Sequence, residues 1–238
     1  MLSLFLTFYA RDAAARASAP DLEKARAIAR ALPGLRRGLL FTPERAPDPF
    51  VEYPPPPQLA LQLYFSEIAL LEAAAGPMGS LKALAEPGAL PSVDMRGASQ
   101  QAMLVREFPV PDAAFRTPPG AAPCSDIIHY PGTVEDFNAW LAFYLASHVP
   151  LMQRLPGIRS LEIYTRIDWT SALPWPKAEH VQRNKVVFDD VEALAAALRS
   201  PVRAEMRADF LRFPTFTEGN RHNPMATHEI ALEAPTAA

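Results

Sequence analysis

His148 is the first residue of this chain that asks for a chemical explanation. It falls in the series Phe137, Trp140, Leu141, Tyr144, Leu145, His148, Leu151, Met152 and Leu155, spaced by three and four residues. Such a series is the stripe of an amphipathic helix packed on one side, so the imidazole should face the interior. With an ordinary pKa near ~6.5 it is the side chain best suited to move protons at neutral pH, and when buried it needs a hydrogen-bond partner. The plainer reading is a core histidine satisfied by a backbone carbonyl.

His129 and Tyr130 are neighbours in a short apolar run that reads as a strand. They must point to opposite faces of a sheet, so one of them reaches any given pocket. Tyr164 can orient a substrate oxygen through its hydroxyl, although a tyrosine on a half-buried strand often only packs. His180 lies in the loop Asp168–Asn184 with Trp169, Trp175, Pro174 and Pro176. Loops of that length with ordered aromatics either form lids or pack on a neighbouring domain. Trp169, together with Trp140 and Tyr144 of the stripe, is expected to line the substrate site. His222 and His228 stand six apart, which is no helical metal spacing, and no metal is expected; His228 is expected to line the pocket from the last strand.

Composition limits the alternatives. A formal charge of -3 gives no surface for a polyanion, so nucleic acid is not an expected partner. One cysteine, Cys124, cannot form an intrachain disulfide, and a reducing, cytoplasmic setting fits it. The apolar start Met1–Ala10 lacks a basic flank, and Arg11, Asp12 and Arg16 interrupt what would follow, so it does not read as a secretion signal. No stretch is apolar enough to cross a bilayer. Phosphate-cradling glycine loops, a Gly-x-Ser-x-Gly elbow and a dinucleotide fingerprint are absent from the sequence.

The elements that must hold these residues come in two sets. Leu32-Pro33-Gly34 recurs as Leu155-Pro156-Gly157, 123 positions on, and the same offset carries Phe41 to Tyr164, Thr42 to Thr165 and Phe65 to Phe188. Carried backward it sets Leu4-Phe5-Leu6-Thr7 on Ile127-Ile128-His129-Tyr130, and it sets Ala25 on His148. Each half reads strand, helix, strand, long loop, strand, helix, strand. The expected spans are Leu2–Tyr9 and Asp126–Tyr130 for the first strand, and Asp21–Ala31 and Val134–Arg154 for the first helix. Leu59–Phe65 and Lys185–Phe188 form the third strand, Gln101–Phe108 and Thr227–Leu232 the last. This is the α+β, ferredoxin-like β-α-β-β-α-β order, with both crossover helices on one sheet face. The bare face must be covered, and a tandem pair, divided into residues 1–118 and 119–238 by the proline-rich stretch Pro109–Pro123, can pack its two sheets as a barrel within one chain. Pairing with a second chain, as a homodimer, is the other way to cover it.

Phe143-Tyr144-Leu145-Ala146-Ser147-His148-Val149-Pro150-Leu151, with Leu155-Pro156-Gly157, Phe188-Asp189-Asp190-Val191-Glu192-Ala193-Leu194, Ser200-Pro201 and Ala208-Asp209-Phe210, resembles the EthD family of the dimeric α+β barrel superfamily. The resemblance covers roughly residues 126–232, and the first half only through the repeat. It implies a cofactor-independent enzyme of isomerase, cyclase, lyase or monooxygenase type, acting on a small aromatic or lactone-like compound. His148 would be general base or acid, with His129 or Tyr164 positioning the substrate. A haem-binding protein with His148 on iron is the alternative, and a non-catalytic module, its pocket filled by Trp140, Tyr144 and Met152, is a third.

Overall fold

The computed structural model describes residues 1–232. Among these, the first half supplies β1 (Leu2–Phe8), α1 (Ala19–Arg30), β2 (Leu35–Pro43), β3 (Leu59–Phe65), α2 (Ile68–Ala75) and β4 (Ala98–Phe108). The second supplies β5 (Cys124–Tyr130), α3 (Phe137–Phe143), a π-helical turn (Tyr144–His148), α4 (Val149–Met152), β6 (Ser160–Arg166), β7 (Gln182–Phe188), α5 (Val191–Leu198), α6 (Pro201–Phe210) and β8 (Arg221–Ile230).

Each half orders its strands as a ferredoxin-like unit, β4-β1-β3-β2 and β8-β5-β7-β6, and antiparallel pairing of β2 with β8 and of β4 with β6 closes one barrel within the chain. Closure leaves no strand among the described residues with an unpaired edge. Strand alternation then divides the side chains. Leu4, Leu6, Phe8, Leu59, Leu61, Leu63 and Phe65 point outward into the core beneath α1 and α2. Phe5, Phe41, Tyr64, Met103, Ile127, Tyr164 and Met225 fill the lumen.

The lumen also holds ions. Lys185 Nζ lies 3.0 Å from Glu162 Oε2, and both side chains are almost wholly buried. The Tyr64 hydroxyl donates to Glu162 at 2.6 Å, the Tyr164 hydroxyl donates to it as well, and Lys185 donates to Gln62 (3.1 Å) and to the Tyr64 oxygen (2.7 Å). Burial opposes the charge on Glu162, but Lys185 and the two phenols overcome it and hold the carboxyl below its ordinary range.

The repeat is real, but its offset is not constant. Gly38 pairs with Leu63 as Leu161 pairs with Val186, which keeps the step of 123 for β2 and β3. Leu2, however, pairs with Phe65 as Cys124 pairs with Phe188, a step of 122 for the first strand. His129 therefore corresponds to Thr7 and Tyr130 to Phe8, not to Leu6 and Thr7. One residue matters because a strand's period is two, and a shift of one exchanges its faces.

The extra residue of the second half falls between β5 and β6, where the π turn supplies a one-residue insertion. Val149 N–H donates to Tyr144 O, five residues back, and Pro150 has no N–H to continue the α-helical ladder. Other boundaries also move from expectation. The first helix of the second half starts at Phe137, because the Asp136 side chain caps it by accepting from Ala139 N–H. β7 starts at Gln182, β8 runs Arg221–Ile230 instead of Thr227–Leu232, and α6 is an additional helix started by Pro201. The tail of the proposed second domain, residues 233–238, lies outside the described residues.

Candidate active site

The π turn carries His148 into a cleft between the outer face of β5, β7 and β8 and the helices α5 and α6. Its polar lining includes Asp126, Tyr130, His148, Asn184, Arg203, Asn220 and His222, and its apolar lining includes Met152, Met206 and Phe210. Val51, from the loop that joins β2 to β3, closes it from the first half. The cavity between these side chains measures only about 30 Å³. The cleft is therefore shut to water size, and any larger guest must displace side chains.

His148 is buried, and its Nδ1 lies 2.9 Å from Asp209 Oδ2. The other Asp209 oxygen accepts from the Ser147 hydroxyl. Burial depresses the His148 pKa to about 4, more than the adjacent Asp209 raises it, so the ring is neutral at pH 7. A neutral ring beside a carboxylate keeps its proton on Nδ1, which leaves the Nε2 lone pair as the acceptor. Nε2 has no hydrogen-bond partner among the described residues. An imidazole held in this way can take up a proton at Nε2.

A second histidine–aspartate pair stands across the cleft. His222 Nδ1 lies 2.8 Å from Asp126 Oδ2, and its Nε2 accepts from Asn220 Nδ2 at 3.1 Å. Asp126 Oδ1 accepts from Asn223 N–H. Both ring nitrogens are thus engaged, and the Tyr53 ring lies against the imidazole with centroids 5.5 Å apart. His222 is built as a fixed wall, His148 as a free acceptor. Arg203 joins the two halves by donating from Nε to Asp48 at 2.8 Å, with both side chains buried.

The structure divides the other expected residues. Trp140 and Tyr144 do not line the cleft. They sit behind it in an aromatic cluster with Tyr130, Phe213 and Phe216, which accounts for their burial. Tyr144 acts at one remove, since its oxygen accepts from Asn184 Nδ2 at 2.5 Å and Asn184 faces the cleft. Tyr130, not His129, is the first-strand residue on this face. His129 and Tyr164 are lumen residues, on the opposite side of the sheet from His148, because the register shift exchanges the faces of β5 and the alternation of β6 sends Tyr164 inward. His228 lies near the other end of β8, its Nε2 3.2 Å from Thr42 Oγ1, beside α1 rather than in the cleft. Trp169 packs against the first-half core, with the Lys177 ammonium 4.7 Å from its ring centroid. The Asp168–Asn184 loop thus covers the partner half and not His148. Ala25, in the His148 position of the first half, is wholly buried in that half's core.

Asp209, Asp126, His222 and Arg203 are the site residues that sequence reasoning left without a role. Arg203, Met206 and Asp209 recur every third residue and are the buried residues of α6. That spacing is visible in the sequence, but charged residues are seldom buried unless paired, and the partners here, Asp48 and His148, lie far off in the chain. Asp126 and His222 meet only because β5 pairs with β8, and nothing local announces it.

No family model and no curated protein matches the sequence. Among solved structures, an anthrone oxidase-like protein is similar over 100% of this chain and 96% of its own, with 11% identity and a TM-score of 0.62. A protein from Fusobacterium nucleatum subsp. nucleatum, provisionally assigned as a monooxygenase, is similar over 95% of this chain and 91% of its own, with 7% identity and a TM-score of 0.53. A provisionally assigned chlorite dismutase is similar over 96% and 95%, with 10% identity and a TM-score of 0.51. Identities this low speak for the fold alone. What the chain shares with them is the architecture, an eight-stranded antiparallel α+β barrel, here with both ferredoxin-like halves in one polypeptide.

Proposed function

We propose that the second-half cleft is an active site in which neutral His148 removes a proton from a small, mostly apolar oxygenated compound, aromatic or lactone-like, of the kind that gives a stabilised carbanion or phenolate. The observation that carries this reading is the His148–Asp209 pair, with Nδ1 engaged and Nε2 open to the cleft. Asp209 holds the tautomer and would stabilise the imidazolium as it forms. Tyr130, Asn184 and Asn220 supply hydrogen-bonding groups for the developing oxygen charge, and the methionine and phenylalanine walls exclude water. The anthrone oxidase-like neighbour suggests a concrete probe, an aromatic ketone with an acidic methylene.

The test is solvent deuterium exchange at that methylene, followed by NMR with the full chain. Wild-type protein should accelerate exchange about 10²–10⁴-fold over buffer, and His148→Ala should abolish the gain. Equal acceleration by both proteins would refute the assignment.

The same donor set gives a second reading, since an imidazole held by a carboxylate on Nδ1 with Nε2 free is a competent iron ligand. The residues fit haem in donor type but not in space, for a macrocycle needs far more room than the present cleft has. Haem titration decides: a Soret shift dependent on His148 would favour this reading, and its absence favours the base.

A further inference from the structure

The lumen contains a second unusual cation, two residues from Lys185 on β7. Arg183 is 1% exposed, and its guanidinium lies 4.7 Å from the Phe5 ring centroid. Its Nε donates to Gln101 Oε1 at 3.0 Å, but Nη1 is buried without any partner, and no carboxylate among the described residues pairs with the group. The contrast with Lys185, which has Glu162, is direct. An arginine cannot shed its charge as a lysine can, and an uncompensated buried ion is strongly destabilising.

The surroundings add further cationic groups. His129 stands beside Arg183 across the β5–β7 ladder and beside Arg221 across the β5–β8 ladder. The His180 ring lies 4.9 Å from that of His129. Burial is the main cause that lowers the pKa of His129, and of His180 to about 3, with Arg183 the next cause for each. Glu218 lies 3.5 Å from the exposed Arg221, and Asp168 and Glu179 line the surface groove nearby; none of the three pairs with Arg183. Gln101 links the cluster to the exterior. It bonds Arg183 on one side and the His180 carbonyl on the other, and it lines an open surface groove that carries two basic residues, Arg166 and Lys177, and two acidic ones, Asp168 and Glu179. The position of Arg183 in the first half is Ala60, so the charge belongs to one half only.

We propose that this end of the barrel binds a small oxyanion, a carboxylate or inorganic phosphate, which enters past Gln101 and pairs with the free edge of Arg183 beside His129 and His180. The site is on the opposite side of the sheet from His148 and does not depend on that residue's role. It also gives His129 a task, though a different one from positioning a substrate in the cleft.

The experiment is a thermal-shift and calorimetric titration of the full chain with phosphate or acetate, against chloride at constant ionic strength. A saturable rise in Tm of about 5–10 °C at a hundredfold excess over Kd is expected for at least one anion. The anion that acts identifies the ligand class. The response should vanish in Arg183→Met and persist in His148→Ala. No saturable response in the wild type, or an equal one in Arg183→Met, overturns the proposal. Should Arg183→Met fail to fold, Arg183→Lys retains a charge but loses the fork geometry: at least a tenfold weaker affinity supports the site, and unchanged affinity overturns it.

Discussion

Protonation of His148 should leave a measurable mark on stability. The folded ring titrates at about 4, whereas an unfolded chain's histidine titrates near 6.5. Between those values the unfolded chain binds a proton that the native state refuses, so unfolding becomes easier as pH falls, with the effect complete once pH passes below 4. At about 1.36 kcal/mol per pH unit the full window amounts to about 3 kcal/mol. His129 and His180 act in the same direction, so the wild type alone cannot isolate the effect. The double variant His148→Leu/Asp209→Asn removes the ring without stranding its carboxylate. Urea unfolding of both proteins from pH 7.5 to 4 should show the wild type losing about 3 kcal/mol more than the variant. Parallel curves, or an NMR titration of the His148 ring with a midpoint near ~6.5, would show that the ring is solvated and end the case for a buried base.

Other changes test the frame around it. Asp209→Asn should slow the exchange reaction about tenfold to hundredfold, through loss of a charge-assisted hydrogen bond that fixes the tautomer, while ketone binding followed by calorimetry stays near wild type. Glu162→Leu should destabilise the barrel by about 3–5 kcal/mol in urea titration, and adding Lys185→Leu should recover most of it, because the cost lies in the stranded ammonium. Gly97→Ala should lower stability by about 1–3 kcal/mol in the same assay, since a Cβ there would meet the Tyr9 carbonyl oxygen at 2.0 Å, far inside contact distance.

The duplicated plan was legible because strand and helix periods, with Leu32-Pro33-Gly34 and Leu155-Pro156-Gly157 as fixed points, constrain element order without reference to contacts. Burial of His148 followed from its stripe in the same way. Faces were harder. The step of 123 holds at the Leu-Pro-Gly turns and along β2 and β3, and nothing in the residues marks its change to 122 in β5, so His129 and Tyr130 exchanged roles. Pro150 is visible in the sequence, but that its missing donor would resolve as a π turn rather than a kink or a helix end depends on packing against α6. Asp126 with His222 and Arg203 with Asp48 are pairs between distant segments, and only strand order and loop placement bring them together.

The closure of the ring by its own polypeptide has a practical corollary. Assembly of the lumen is a first-order process, so its integrity should not vary with dilution, as that of a barrel built from two separate subunits must. It also permits unequal specialisation: the paired Glu162 and Lys185 of the second half correspond to the paired Leu39 and Gln62 of the first, an asymmetry that two identical subunits could not encode.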